Sequence, residues 1–208
     1  MRETVLSAVR DGIAVKERFF NENADKVVEV SRLLAEAFTK GRKLLLLGNG
    51  GSASDASHIA AEFVNRFKRE RPGLPAIALN TDMAVLTSIA NDYEFSEVFA
   101  RQIKCIGEQG DFLIAISTSG SSRNVLKAVD AAKKKKLVTI AFTGEKGDKL
   151  ASKVLYPFVV QSSDTPRIQE THITLGHIIC QLVEEILFDI PGKSSAHSTA
   201  RSTDHSKG

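Results

Sequence analysis

Leu44-Leu45-Leu46-Leu47-Gly48-Asn49-Gly50-Gly51-Ser52 decides the fold. Four consecutive leucines leave no polar face, so the run suits a short strand buried on both sides, as parallel sheets bury their strands. The glycines then turn the chain, and residues 53–69 read as the helix that the turn opens. The same unit recurs. Apolar runs at 76–79, 112–116, 137–142 and 154–160 alternate with helical segments at 83–90, 96–107, 122–135 and 147–152. A last apolar helix starts at Thr165 or Arg167 and reaches Phe188. Alternating strands and helices predict an α/β fold with a mainly parallel five-stranded sheet. Right-handed crossovers put helices on both faces, giving a three-layer α-β-α sandwich.

Working outward, residues 1–40 read as a pair of helices. Val5, Val9, Ile13 and Phe20 share one helical stripe, Asn21 or Asn23 marks a break, and Val27, Val30, Leu34 and Phe38 carry a second stripe. These helices are expected to pack on the 41–188 domain and on partner subunits. Residues 189–208 are rich in Ser, Thr, Lys and His and read as a disordered tail, because they cannot bury enough surface to offset their ordering entropy.

With 208 residues, 42% hydrophobic and 25% charged, the chain has the balance of one ordinary globular domain. The net charge of +3 lies partly in Lys133–Lys136 and partly in the tail, which is no footprint for direct nucleic-acid binding. Cys105 and Cys180 sit in apolar stretches, as free core thiols do, and their spacing suits neither a disulfide framework nor a zinc ribbon. The N-terminus lacks a signal-peptide core, and no apolar run approaches the ~20 residues that span a bilayer. A cytoplasmic location is the expectation.

Two loops carry the chemical signal. The first is Gly48 to Ser52. The second is Ser117-Thr118-Ser119-Gly120-Ser121-Ser122, after the strand at 112–116. Each follows a predicted strand and opens a predicted helix, the position where open α/β sheets bind ligands. Glycines admit a close ligand, helix N-termini offer free N–H groups to an anion, and the second loop adds five hydroxyls. Neither loop has the Walker or GxGxxG form. Taken singly, each loop could simply be a turn with a cap.

A second constellation lies on helices. His58 and Glu62 are four apart and share one helix face, which suits a metal ion, although on spacing alone a solvated face is the simpler account. His177 lies among Leu175, Gly176, Ile178 and Ile179, so it is expected to be buried and to need a partner. On the residues alone, a satisfied core histidine is the simpler account than a ligand.

The pair Gly-Asn-Gly-Gly-Ser and Ser-Thr-Ser-Gly-x-Ser, in this order, resembles the sugar isomerase (SIS) domain, and the likeness runs from about residue 40 to 188. Arg71-Pro72-Gly73-Leu74-Pro75-Ala76-Ile77-Ala78 and Ala90-Asn91-Asp92 are similar to the phosphoheptose-isomerase branch. The resemblance implies an aldose–ketose isomerase acting on sedoheptulose 7-phosphate and making D-glycero-D-manno-heptose 7-phosphate for surface-polysaccharide precursors. It implies a homotetramer with one zinc per subunit, held by His58, Glu62, Gln169 and His177. Glu62 and His177 would be general base and general acid. Asn49, Gly50, Gly51, Glu62, Asn91, Asp92, Ser117, Thr118, Ser119, Ser122 and Gln169 would touch substrate, with Arg66 a weaker candidate.

Ketose–aldose isomerisation needs such groups: a base, an acid for the oxygens, and charge stabilisation for the enediol. The chain departs from the branch at Pro166, where many members have an acidic residue, and Asp164 is the nearest stand-in. Gln169 and His177 are about 12 Å apart along one helix; a kink near Gly176 would bring them closer, and a neighbouring subunit supplying one ligand or the acid is the favoured expectation. The competing reading is a non-catalytic SIS adaptor that binds the bacterial replication initiator. It resembles this chain in fold and in the stretches Asn65–Pro72 and Ala76–Asp82, but lacks a histidine at the position of His177. A sugar-phosphate sensor would need the loops but neither Glu62 nor His177.

Overall fold

A computed structural model describes residues 1–188; the expected tail at 189–208 lies outside the described residues. The elements run α1 (Arg2–Thr39), β1 (Leu44–Leu47), α2 (Gly51–Val64), β2 (Ala76–Ala78), α3 (Met83–Asp92), a 3₁₀ turn at Phe95–Glu97, then α4 (Val98–Ile106) and β3 (Phe112–Ser117). They continue with α5 (Arg123–Lys134), β4 (Val138–Gly144), α6 (Asp148–Ala151), β5 (Tyr156–Val160) and α7 (Thr165–Phe188). The five strands pair in the order β2-β1-β3-β4-β5, all parallel.

Alternating side chains of each strand feed two cores. Leu44, Leu46, Phe112, Ile114 and Phe142 pack with Leu34, Ile59, Phe63, Leu175 and Ile179, so α1, α2 and α7 cover one face. Leu45, Leu47, Leu113, Ala115 and Ala141 pack with Ile89, Phe99, Ile103, Val125, Val129 and Leu150, so α3 to α6 cover the other. The three-layer sandwich expected from the sequence is therefore present. Among the described residues no helix is long and apolar enough to cross a membrane.

The N-terminal pair is corrected to a single helix, α1, which lies along α7. Asn23 does not break it. Its side-chain amide donates to the Phe19 carbonyl at 2.9 Å and its oxygen accepts from Lys26, so the polar group is satisfied while the helix continues. Cys105 is also corrected: it is exposed on α4, whereas Cys180 is buried as expected.

The strand order reverses between β1 and β3. After β1 the chain enters α2 on one face; after β3 it enters α5 on the opposite face. Loops leaving adjacent strands in opposite directions open a crevice at the carboxyl edge, and both signal loops lie there.

Candidate active site

The second loop is built to sit still. Gly120 has φ +59°, and a Cβ there would also come within 2.4 Å of the Gly147 backbone, so glycine is required on both counts. The Thr118 carbonyl accepts from Gly144 N–H at 3.0 Å and the Ser117 carbonyl from the Thr143 hydroxyl at 2.7 Å. Ser117 is buried with its hydroxyl 3.4 Å from that of Ser122. Ser119 is exposed, and its hydroxyl accepts from the hydroxyl of Ser121. Ser122 is the N-cap of α5, and its side chain makes no cap hydrogen bond.

Asn124 ties the two loops together, and sequence reasoning missed it. The amides of Asn49 and Asn124 exchange hydrogen bonds at 3.0 and 2.9 Å across the crevice. Its only sequence signal was a polar residue two positions past the second loop. Asn49, Ser122, Arg123 and Asn124, with Glu94 to Ser96 opposite, line a cleft of about 540 Å³. Asn91 and Asp92 are exposed at the end of α3, bonded to each other at 3.0 Å, two residues short of that wall.

If this loop binds a phosphate, changing Ser119 and Ser122 together to alanine should raise KM at least tenfold and leave kcat within a few-fold, because phosphate lies far from reacting carbons. Steady-state kinetics of the double variant checks this; an unchanged KM contradicts it.

Helices α2 and α7 bring the second constellation together. Gly176 lets them approach, since a Cβ there would fall 2.4 Å from Ile59 Cδ1. His58, Glu62 and His177 then converge, with one ligand atom of each within 4.8 Å of the others. Glu62 Oε1 is 3.1 Å from His58 Nε2, and His177 Nε2 is 3.4 Å from the same nitrogen. Tetrahedral zinc with bonds of about 2.0–2.2 Å separates its ligand atoms by about 3.4 Å, so these three donors fit such an ion. Two imidazole nitrogens and a carboxylate facing one point is an arrangement that a cation reconciles.

His177 is half-buried rather than fully buried, because its face of α7 opens toward His58. Burial, and then the neighbouring His58, hold its pKa below the ordinary value despite the opposing pull of Glu62, which favours the neutral ring that a metal ligand needs. The fully buried histidine is His172. Its Nε2 lies 3.2 Å from the Thr143 carbonyl, its Nδ1 has no partner, and burial pushes its pKa down to about 4.

Gln169 is seated elsewhere. Its amide nitrogen would be 2.4 Å from a Cβ on Gly51, which explains the glycine there, and Gly51 is about 10 Å of helix rise before His58. Three of the four sequence-predicted ligands thus cluster, with Gln169 at the other end of the α2–α7 seam. Glu62 and His177 meet within one chain, so the pair itself needs no neighbouring copy. Between Gly51 and His58, Asp55 is half-buried with Oδ2 unpartnered, and burial raises its pKa against the pull of His58.

Arg66 lies beyond the end of α2, exposed and 3.6 Å from Glu70. Asp164 is exposed, 3.8 Å from Arg167, and lines a groove with Glu3 and Asp11 of α1.

A doubly covered parallel sheet, two glycine- and hydroxyl-rich loops at its switch point and a metal-competent triad on the α2–α7 seam define the class, a ligand-binding α/β domain. A family model described as the SIS domain matches residues 9–144. The chain is 65% identical to the phosphoheptose isomerase of Thermodesulfovibrio yellowstonii, over 92% of this chain and 95% of that one. It superposes on the phosphoheptose isomerase of Neisseria gonorrhoeae with a TM-score of 0.83 at 37% identity, covering 88% of this chain and 98% of that one. The enzyme of the same description from Francisella tularensis gives a TM-score of 0.84 at 33% identity, with 88% and 97% covered. The chain belongs to the phosphoheptose-isomerase family of SIS-domain proteins, and it is a sugar-phosphate isomerase.

Proposed function

We propose that the chain is a zinc-dependent isomerase that converts sedoheptulose 7-phosphate to D-glycero-D-manno-heptose 7-phosphate in the cytoplasm, supplying heptose for surface polysaccharide. The observation that carries this reading is the convergence of His58, Glu62 and His177 on the seam between α7 and α2, the helix that the first loop opens. It also separates the isomerase from the initiator-binding adaptor, which needs the fold but no metal set.

In this account the amides and hydroxyls of Ser117 to Ser122 hold the phosphate, and Asn49 to Gly51, Asn91, Asp92 and Gln169 orient the sugar hydroxyls. Glu62 takes a C1 proton of the ketose and, after exchange with solvent, delivers one to C2. One carboxylate oxygen faces His58, and the second is the one to serve as base. His177 moves the proton between the C2 and C1 oxygens. Bound zinc would supply Lewis acidity toward those oxygens, with His58, Glu62 and His177 as its ligands and Gln169 from a neighbouring copy as the fourth. Incubating purified protein with sedoheptulose 7-phosphate, with and without added zinc, tests the reading. An aldose 7-phosphate is expected, whereas binding to the replication initiator without turnover favours the adaptor.

A homotetramer is part of the proposal. Val5, Val9 and Ile13 recur at one-turn spacing along α1 and are 63%, 54% and 58% exposed, so this stripe faces away from the chain's own core. Light scattering at micromolar concentration should give four times the chain mass of 22.6 kDa; a monomer contradicts it.

A further inference from the structure

We infer that Arg71 and Glu184 form a buried strap that sets the spacing of the His58–Glu62–His177 triad, making both of them positioning residues for metal binding. The inference rests on the metal reading above. The two side chains are 1% and 2% exposed and pair at 2.9 Å. The last carbonyls of a helix have no partner within it. Here the Arg71 guanidinium takes them, donating to the Glu62 and Phe63 carbonyls at 2.9 Å each and to the Pro72 carbonyl at 3.0 Å. The turn that carries Glu62 is thereby fixed.

Glu184 lies on α7, two turns beyond His177. Its carboxylate accepts from the N–H groups of Phe67, Lys68 and Arg69 at 3.2, 2.9 and 3.0 Å. The segment leaving α2 is thus fastened to the helix that bears His177. The same segment returns to the site, because the Phe67 ring packs on the His177 ring with centroids 5.5 Å apart.

A buried ion pair is a weak source of net stability, since desolvation offsets most of the attraction. What this pair provides is a fixed distance between the turn holding Glu62 and the helix holding His177. Outer residues that orient ligands change metal affinity by about 10–100-fold when altered.

The test uses full-length wild type, Arg71→Lys and Glu184→Gln, stripped of metal and checked for folding by circular dichroism. Lysine keeps a cation for Glu184 but loses the fork that reaches two carbonyls. Zinc is then titrated against a chromophoric chelator. Both variants should bind zinc about tenfold or more weakly, and kcat should fall more than KM. A second measurement needs no variant. Linkage is reciprocal, so zinc should slow hydrogen exchange of the Phe67–Arg69 amides in wild type by about the same factor. Folded variants with wild-type zinc affinity, or wild-type amides indifferent to zinc, overturn the strap. A variant that does not fold leaves the wild-type exchange measurement to decide. Wild type that binds no zinc overturns the metal reading and the strap with it.

Discussion

Glu62→Gln should lower turnover of sedoheptulose 7-phosphate by about a thousandfold, within the 10²–10⁴ range of a lost general base. Glutamine keeps the shape of glutamate and can still contact His58, so the α2–α7 seam survives. It cannot accept the C1 proton. KM should change by less than a few-fold, because the loop proposed to hold the phosphate is untouched. Glu62 is also a proposed ligand, so zinc content must be measured in the same samples. A variant that retains zinc and loses turnover isolates the base role. A variant that loses both shows ligation to be the larger role. More than a tenth of wild-type turnover would contradict either role.

Chelation should have an effect of similar size. Removing zinc should abolish measurable isomerisation, and one equivalent per chain should restore it. The reason lies in the 3.4 Å approach of two imidazole nitrogens with a carboxylate 3.1 Å from one of them. Without a cation those lone pairs have only shared protons to separate them. Zinc at a thousandfold excess over its dissociation constant should stabilise the fold by about 4 kcal/mol, visible as a rise in melting temperature. His58→Ala should lose that rise. Full activity in protein with negligible metal content contradicts the account.

The sheet was legible because its strands are short apolar runs with little else to be. Leu44 to Leu47 has no polar face, so its burial on both sides followed from composition alone, and its bounds were met. The start of α2 was visible in the glycine loop, but its end was not. Helix was expected to residue 69 and stops at Val64, because Arg71 takes its terminal carbonyls while Glu184 collects the N–H groups of Phe67, Lys68 and Arg69. Those partners are 113 residues apart in sequence, and no local pattern announces them.

Residues 1–40 failed for the opposite reason. Asn23 resembles a breaker locally, but its amide finds partners within the helix and against Lys26. On α7 an apolar surround could not tell His172 from His177. Five residues turn a helix by about 140°, so one ring faces the Thr143 carbonyl under the sheet edge and the other faces His58. Cys105 shows the same effect on α4, lying two residues from buried Ile103 yet exposed. The two loops were visible in the sequence as glycine- and hydroxyl-rich turns, and the Asn49–Asn124 bridge was not, because it exists only once the β1 and β3 loops are adjacent.

Isomerisation in D₂O followed by proton NMR tests the central claim most directly. Zinc-loaded protein is incubated with sedoheptulose 7-phosphate, and the product is examined at C2. If Glu62 removes a C1 proton and returns one to C2 after exchange with solvent, an aldose 7-phosphate accumulates with deuterium at C2. Ketose recovered unchanged, from protein shown to carry one zinc per chain, would contradict the account.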